Sequence, residues 1–276
     1  MQLDETQNQE TADDEVIAIY NAADFAGMRA AGQLAAATLD FITPYVLPGV
    51  RTIELNEQIE QFIRSHGAVP ATIGYRGYQH ASCISPNHVV CHGIPGEKAL
   101  AAGDIVNIDV TVILNGWFGD TSRMYFAGDK ISLRAARLCD VTYEAMMRGI
   151  AAVRPGATLG DIGHAIQSFV EAHRFSVVRD FCGHGVGQRF HMPPSVLHYG
   201  RPGTGAVLKP GMIFTIEPMV NAGGYGVKVL NDGWTAVTKD KSLSAQFEHS
   251  VGVTESGVEI FTLSPKGYTQ PPYPLA

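Results

Sequence analysis

The chain has 276 residues, 45% of them hydrophobic and 17% charged, with a formal net charge of −7. That is enough apolar material for one large core. No apolar run reaches the roughly 18 residues needed to span a bilayer, and no basic stripe suited to specific nucleic-acid binding is present.

The first feature along the chain is its charge bias. Asp4, Glu5, Glu10, Asp13, Asp14 and Glu15 all precede the first basic residue, Arg29. Residues 1–15 therefore read as an acidic, flexible, solvated tail, and the remainder is close to neutral. The basic-then-apolar pattern of an export signal is missing. Cys83, Cys91, Cys139 and Cys182 form no Cys-x-x-Cys pair. Reduced thiols and a cytoplasmic location are expected.

Next comes a repeat. Val46–Gly67 (VLPGVRTIELNEQIEQFIRSHG) matches Val153–Arg174 (VRPGATLGDIGHAIQSFVEAHR) at a shift of 107 residues. The shift places Pro48 on Pro155, Gly49 on Gly156, Ile59 on Ile166 and His66 on His173. The shared apolar positions recur at helical steps, and Thr158 with Asp161 has capping-box spacing. Downstream, AGDIVNID (102–109) lies over PGMIFTIE (210–217) at a shift of 108, which sets Asp109 on Glu217. These segments alternate as strands do. The chain is read as one domain, 16–265, of two related halves (about 16–128 and 129–265), with a loose Pro-rich tail at 266–276. Helices flanking antiparallel strands make the fold class α+β.

Asn115-Gly116 between two β-branched runs predicts a two-residue hairpin. Leu114 then faces Trp117, and Thr111 faces Asp120. Asp109 and Asp120 become diagonal neighbours on one sheet face, within reach of a common ion. Burying such a pair is costly unless a cation neutralises it, whereas on a solvent-facing sheet surface two aspartates need no explanation. Glu217 and Glu248 supply two more acids, since QFEHS resembles FGDTS. Four carboxylates facing one cleft make an oxygen-rich nest for divalent cations. CGHGVGQRFHMPPSVLHYG adds His184, His191 and His198, and CHGIPG adds His92. Residue chemistry alone stops at a two-metal hydrolase or another carboxylate-metal enzyme.

In that order and spacing, CHGIPG, GDIVNIDV, GDTSRM, CGHGVG, FTIEPM and QFEHSV resemble the type I methionine aminopeptidases of bacteria, over about residues 16–265. The resemblance implies the duplicated pita-bread fold and removal of the initiator methionine from nascent proteins whose second residue is small. It also implies two divalent metal ions (Mn, Fe, Co or Zn) held by Asp109, Asp120, His184, Glu217 and Glu248. Asp120 and Glu248 would bridge the pair, Asp109 would complete one site, and His184 with Glu217 the other. Glu217 would also shuttle a proton, His92 and His191 would face the substrate, and Tyr75, Tyr78, Cys83, Phe190 and Trp234 would form the methionine pocket. Two departures stand out. Met192 and Pro193 follow His191 where relatives commonly carry acids, and Thr72 stands where some carry cysteine.

Two other readings share this scaffold: an Xaa-Pro-directed peptidase, and a binding module that has lost its chemistry. Lys228, Lys239 and Lys241 raise the further possibility of ribosome association, against an ordinary solvated loop.

Overall fold

The first half of the described chain alternates helices with a long β-hairpin. In the computed structural model, which describes residues 16–274, it runs α1 (Ala22–Ile42), α2 (Thr52–Ser65), β1 (Val69–Pro70), β2 (Cys83–Pro86), β3 (Val89–Cys91), β4 (Ile105–Leu114) and β5 (Trp117–Phe126). Then follow α3 (Leu133–Ala151), α4 (Leu159–Ala172), β6 (Ser176–Val177), β7 (Gly183–Gly185), β8 (Met192–Val196) and β9 (Ile213–Ile216). The chain continues through β10 (Met219–Asn221), β11 (Val227–Val229), β12 (Ala236–Thr238), β13 (Ser244–Gln246), β14 (His249–Val253) and β15 (Val258–Ile260). The acidic stretch 1–15 lies outside the described residues. Among those described, no helix is long and apolar enough to cross a membrane.

Local chemistry sets the helix starts. Asn21 accepts from the backbone N–H groups of Ala23 and Asp24, and Asp24 accepts from Asn21 in return, which satisfies donors that α1 would otherwise leave free. At α4 the expected box forms between Thr158 and Asp161. Helices α2 and α4 are both 14 residues long, offset by the 107 residues of the repeat. Gly49 and Gly156, before them, have φ of 91° and 84°. At their ends His66 and His173 each bond through Nδ1 to the carbonyl four residues back, at 2.8 Å.

The hairpin forms in the expected register, with Leu114 opposite Trp117 and Thr111 opposite Asp120. Asn115 and Gly116 have φ of 51° and 82°, both positive as a type I′ turn demands. Helix α1 lies so close to β5 that a Cβ on Gly119 would stand 2.2 Å from the Ala31 carbonyl oxygen. One sheet contains β1, β4, β2 and β5, and another runs β15-β14-β9-β7-β8. The pairings within them are antiparallel. A bridge between Ser122 of β5 and Glu248, just before β14, links the two sheets. Apolar cores fill both sides, around Leu39, Leu55, Ile59 and Ile108 under α1 and α2, and around Leu138, Ile162, Ile166 and Phe214 under α3 and α4.

Where composition suggests a loose Pro-rich end, the described residues 266–274 make defined contacts. Asp40 and Arg123 form a buried ion pair at 2.7 Å. Asp40 also accepts from the Ser264 hydroxyl and the Lys266 backbone N–H. Tyr273 then packs on Tyr125 and donates to the Met124 carbonyl at 2.9 Å. The tail is held because it completes the solvation of a buried charge, a long-range effect that proline content does not report. Asp40→Asn should therefore lower unfolding free energy in urea by about 3–5 kcal/mol, because it strands a buried guanidinium. Tyr273→Phe should cost only about 0.5–1.5 kcal/mol. Equal losses would contradict this account.

Candidate active site

Strand pairing brings the acids together in two adjacent rows on one sheet face. Directly opposed residues share a face, as do residues two apart on a strand. In the first row Asp109 pairs with Cys83 on one side and Ser122 on the other. Ser122 bridges to Glu248, and the His249–Ile216 pairing, continued one step, sets Glu248 opposite Glu217. In the second row Thr111 opposes Asp120 and Ser250 opposes Thr215. The Ser250 hydroxyl donates to the Asp120 carbonyl at 2.7 Å, and the His184 N–H donates to Thr215 Oγ1 at 3.0 Å. Asp109, Asp120, His184, Glu217 and Glu248 thus meet where the two sheets join.

Candidate ligand atoms of Asp120, His184 and Glu248 lie within 4.8 Å of one another. His184 Nε2 is 3.4 Å from Asp120 Oδ2 and 3.6 Å from Glu217 Oε1. Burial and the neighbouring acids Asp120 and Glu217 push the Asp109 carboxyl well above its usual range. The Glu248 carboxyl is raised by burial together with Asp120, Glu217 and Asp109. Glu217 is raised by burial, partly offset by His184. Burial opposes a proton on His184, but Asp120 and Glu217 outweigh it and lift the ring to about 9.

These groups form the floor of a cavity of about 720 Å³, which all twelve candidate site residues line. One wall joins Tyr78, Trp234 and His92: the Tyr78 and Trp234 rings are 5.0 Å apart, and Trp234 lies 6.1 Å from His92. Cys83, on β2 beside Asp109, belongs to this side. The other wall is Tyr75, Phe190 and His191, with Tyr75 4.8 Å from Phe190 and its hydroxyl 2.8 Å from His191 Nδ1. Met192 and Pro193 also line the cavity, and neither displaces a candidate ligand. Thr72 turns its hydroxyl onto the His80 carbonyl at 2.7 Å.

Thr215, Gln246 and Phe181 escaped the sequence reading, which named Thr111 and His198 without the contacts they make. Thr111 donates to Asp120 and Thr215 to Glu217, each at 2.8 Å; both could have been found from their positions two residues from an acid or opposite one. Gln246 donates to Glu217 Oε2 at 3.2 Å, and it lies two residues before Glu248. Buried His198 accepts the Glu217 backbone N–H on Nε2 at 3.0 Å, a contact that no spacing announces. Phe181, edge-on to His92 at 5.4 Å, was likewise not singled out.

The family model for metallopeptidase family M24 matches residues 26–255. A methionine aminopeptidase from Rickettsia prowazekii is 61% identical over 93% of this chain and 99% of its own length. The chain belongs to metallopeptidase family M24, among the methionine aminopeptidases. The crystal structure of methionine aminopeptidase from Rickettsia prowazekii superposes with a TM-score of 0.89 at 61% identity, covering 90% of this chain and all of that one. The methionine aminopeptidase of Escherichia coli K12 is 54% identical over 90% of this chain and 94% of its own. A prolidase from Pyrococcus furiosus shares the fold, with a TM-score of 0.71 at 22% identity, but this chain covers only 65% of it. The pita-bread, α+β expectation holds.

The donor set suits the divalent cations that a metallopeptidase carries. Four carboxylates and one imidazole are hard, mostly oxygen ligands, and the acids cannot all ionise together in a buried nest without positive charge. Cation binding should therefore expel protons from Asp109, Glu217, Glu248 and His184. Manganese titrations in two buffers of different ionisation enthalpy should show proton release and an affinity that rises from pH 6 to 8. Stability follows the same sign. Groups whose folded pKa is raised stabilise below their unfolded values and lose that contribution as pH climbs through the folded ones. Buried His198 and His249, both lowered to about 3, act only below about pH 6.5. The melting temperature of chelated protein should thus fall between pH 6.5 and 9, and manganese should restore more of it at the upper end. A pH-independent gain would count against the assignment.

Proposed function

We propose that this chain hydrolyses the first peptide bond of proteins that begin with methionine and carry a small second residue. The observation that carries this reading is the meeting of four acids and His184 beneath a cavity walled by Tyr78, Cys83 and Trp234. Asp120 and Glu248 would hold both cations, Asp109 one of them, and His184 with Glu217 the other. When bound, the cations supply Lewis acidity and make water a competent nucleophile near neutral pH. A thioether fits the wall because sulfur packs well against aromatic rings and conforms to irregular space.

The protein's own groups then perform the remaining work. Glu217 is held at Oε1 by Thr215 and at Oε2 by Gln246. It takes a proton from the attacking water and delivers it to the leaving amine. Burial keeps His92 below its ordinary pKa, and burial together with His184 takes His191 down to about 4, so both are neutral donors at pH 7. His191 Nδ1 lies 2.8 Å from the Tyr75 hydroxyl; in the tautomer where that hydroxyl donates, the ring proton sits on Nε2, the nitrogen left for a substrate carbonyl. His92 and His191 also have positive φ, 56° and 53°. Backbone strain of this kind typically costs about 1–3 kcal/mol and concentrates at working sites.

Manganese-loaded enzyme should release methionine from Met-Ala-Ser and leave Xaa-Pro peptides intact; cleavage of proline substrates alone would sink the proposal. Glu217→Gln should reduce kcat by about 10²–10⁴, and His191→Ala by about 10²–10³ if it stabilises developing charge. Tyr75→Phe should fall between His191→Ala and the parent.

The division into related halves, 16–128 and 129–265, belongs to the same proposal and is supported by the matched ends of α2 and α4. So does a cytoplasmic setting, where nascent chains are met. Lys228, Lys239 and Lys241 are all exposed along the β11–β12 hairpin and the turn after it. That placement is compatible with contact to ribosomal RNA, and co-sedimentation with ribosomes at low and high salt would test it.

A further inference from the structure

Arg76 stands at the cavity in a conformation that demands explanation. Its φ and ψ are 47° and 30°, the left-handed region, in a turn between Gly74 and Gly77. A side chain rarely adopts that backbone without a return elsewhere. The turn brings the guanidinium 5.3 Å from the centre of the Tyr75 ring, the residue bonded to His191. Arg76 lines the cavity yet is exposed, and it is close enough to His191 to help hold that ring unprotonated. Asp180, an acid that also lines the cavity, belongs to the segment carrying Phe181, and no acid among the described residues pairs with Arg76 within 4 Å. A cation is thus presented on the Tyr75–His191 wall with no acid partner among the described residues.

We propose that Arg76 is a specificity-determining residue that favours substrates with an acidic side chain at the third position. This rests on the reading of the cavity given above. With the methionine side chain against Tyr78 and Trp234 and the first carbonyl over the acid floor, an extended peptide advances about 3.3 Å per residue. In this arrangement it would leave past the wall that bears His191 and Arg76. A guanidinium matches a carboxylate in a paired, planar way that the isosteric amide cannot reproduce. Solvent at the cavity mouth keeps the gain modest, about three- to tenfold in affinity.

The test compares Met-Ala-Asp-Ala-amide with Met-Ala-Asn-Ala-amide on the manganese-loaded full chain at low ionic strength, as a ratio of kcat/KM within each variant. The parent should favour the aspartate peptide about three- to tenfold, mainly through KM. Arg76→Ala should bring the ratio to about one, Arg76→Lys should keep part of it, and Arg76→Glu should invert it. Asp180→Asn should leave the ratio as in the parent. Because each ratio is internal to one variant, a folding defect does not imitate the effect. A parent ratio of one, or an unaltered ratio in Arg76→Ala, overturns the inference, as does a change in Asp180→Asn as large as that in Arg76→Ala. If neither peptide is cut, the reading of methionine removal fails instead.

Discussion

The bridge between Ser122 and Glu248 governs the chemistry of this molecule. Ser122 is paired with Asp109 on one side and Glu248 on the other, so one serine fixes the separation of acids from distant parts of the chain. The Thr121 hydroxyl donates to the Glu248 carbonyl, and the Ser250 hydroxyl to that of Asp120. Small hydroxyl residues at the junction let two strands come together without bulk between the carboxylates. The cost is an electrostatic one, because each acid brought in raises the penalty for ionising the others. The fold meets it by construction, with the acids on one continuous face and the cavity above.

That arrangement explains how rigidity is distributed. The acids lie on or beside strands backed by apolar cores and helices, where geometry is precise. His92, His191 and Arg76, the groups proposed to face the substrate, lie outside the longest strands, in backbone conformations with positive φ. Their rings are held by other rings: His191 by Tyr75 and Phe190, His92 by Phe181 and Trp234. Strain in the backbone is tolerated because the aromatic contacts leave the side chains few alternatives.

Much of this was legible in the chain. Asn115-Gly116 dictated a hairpin and therefore the diagonal of Asp109 and Asp120, because a two-residue turn leaves no freedom of register. The repeat located both helices with matching ends, since their apolar spacing and preceding Pro-Gly turns are local signals. The packing of Tyr273 and the roles of His198 and Gln246 were not legible. Each depends on a partner 19 to 149 residues away, chosen by geometry and not by any neighbouring pattern. Arg76 was hidden for a related reason: an arginine between glycines reads as a solvated turn until the cavity is assembled beside it.

The contrast between the cavity's floor and its side bears on how a peptide would be oriented. The floor concentrates negative charge that only cations or protons can balance, while Arg76 places a fixed positive charge to one side. With cations bound, the acids of the floor are balanced and offer a peptide's amino end no net negative charge, so the charge left to act on the chain is that of Arg76. Under the proposal above it acts on the residues that follow the first, while the bound cations and the aromatic walls would receive the amino end and the methionine side chain. Reversing the chain would give up the guanidinium contact made in that arrangement. Orientation in this reading thus comes from two ends at once, the outer cation and the pocket for the first residue.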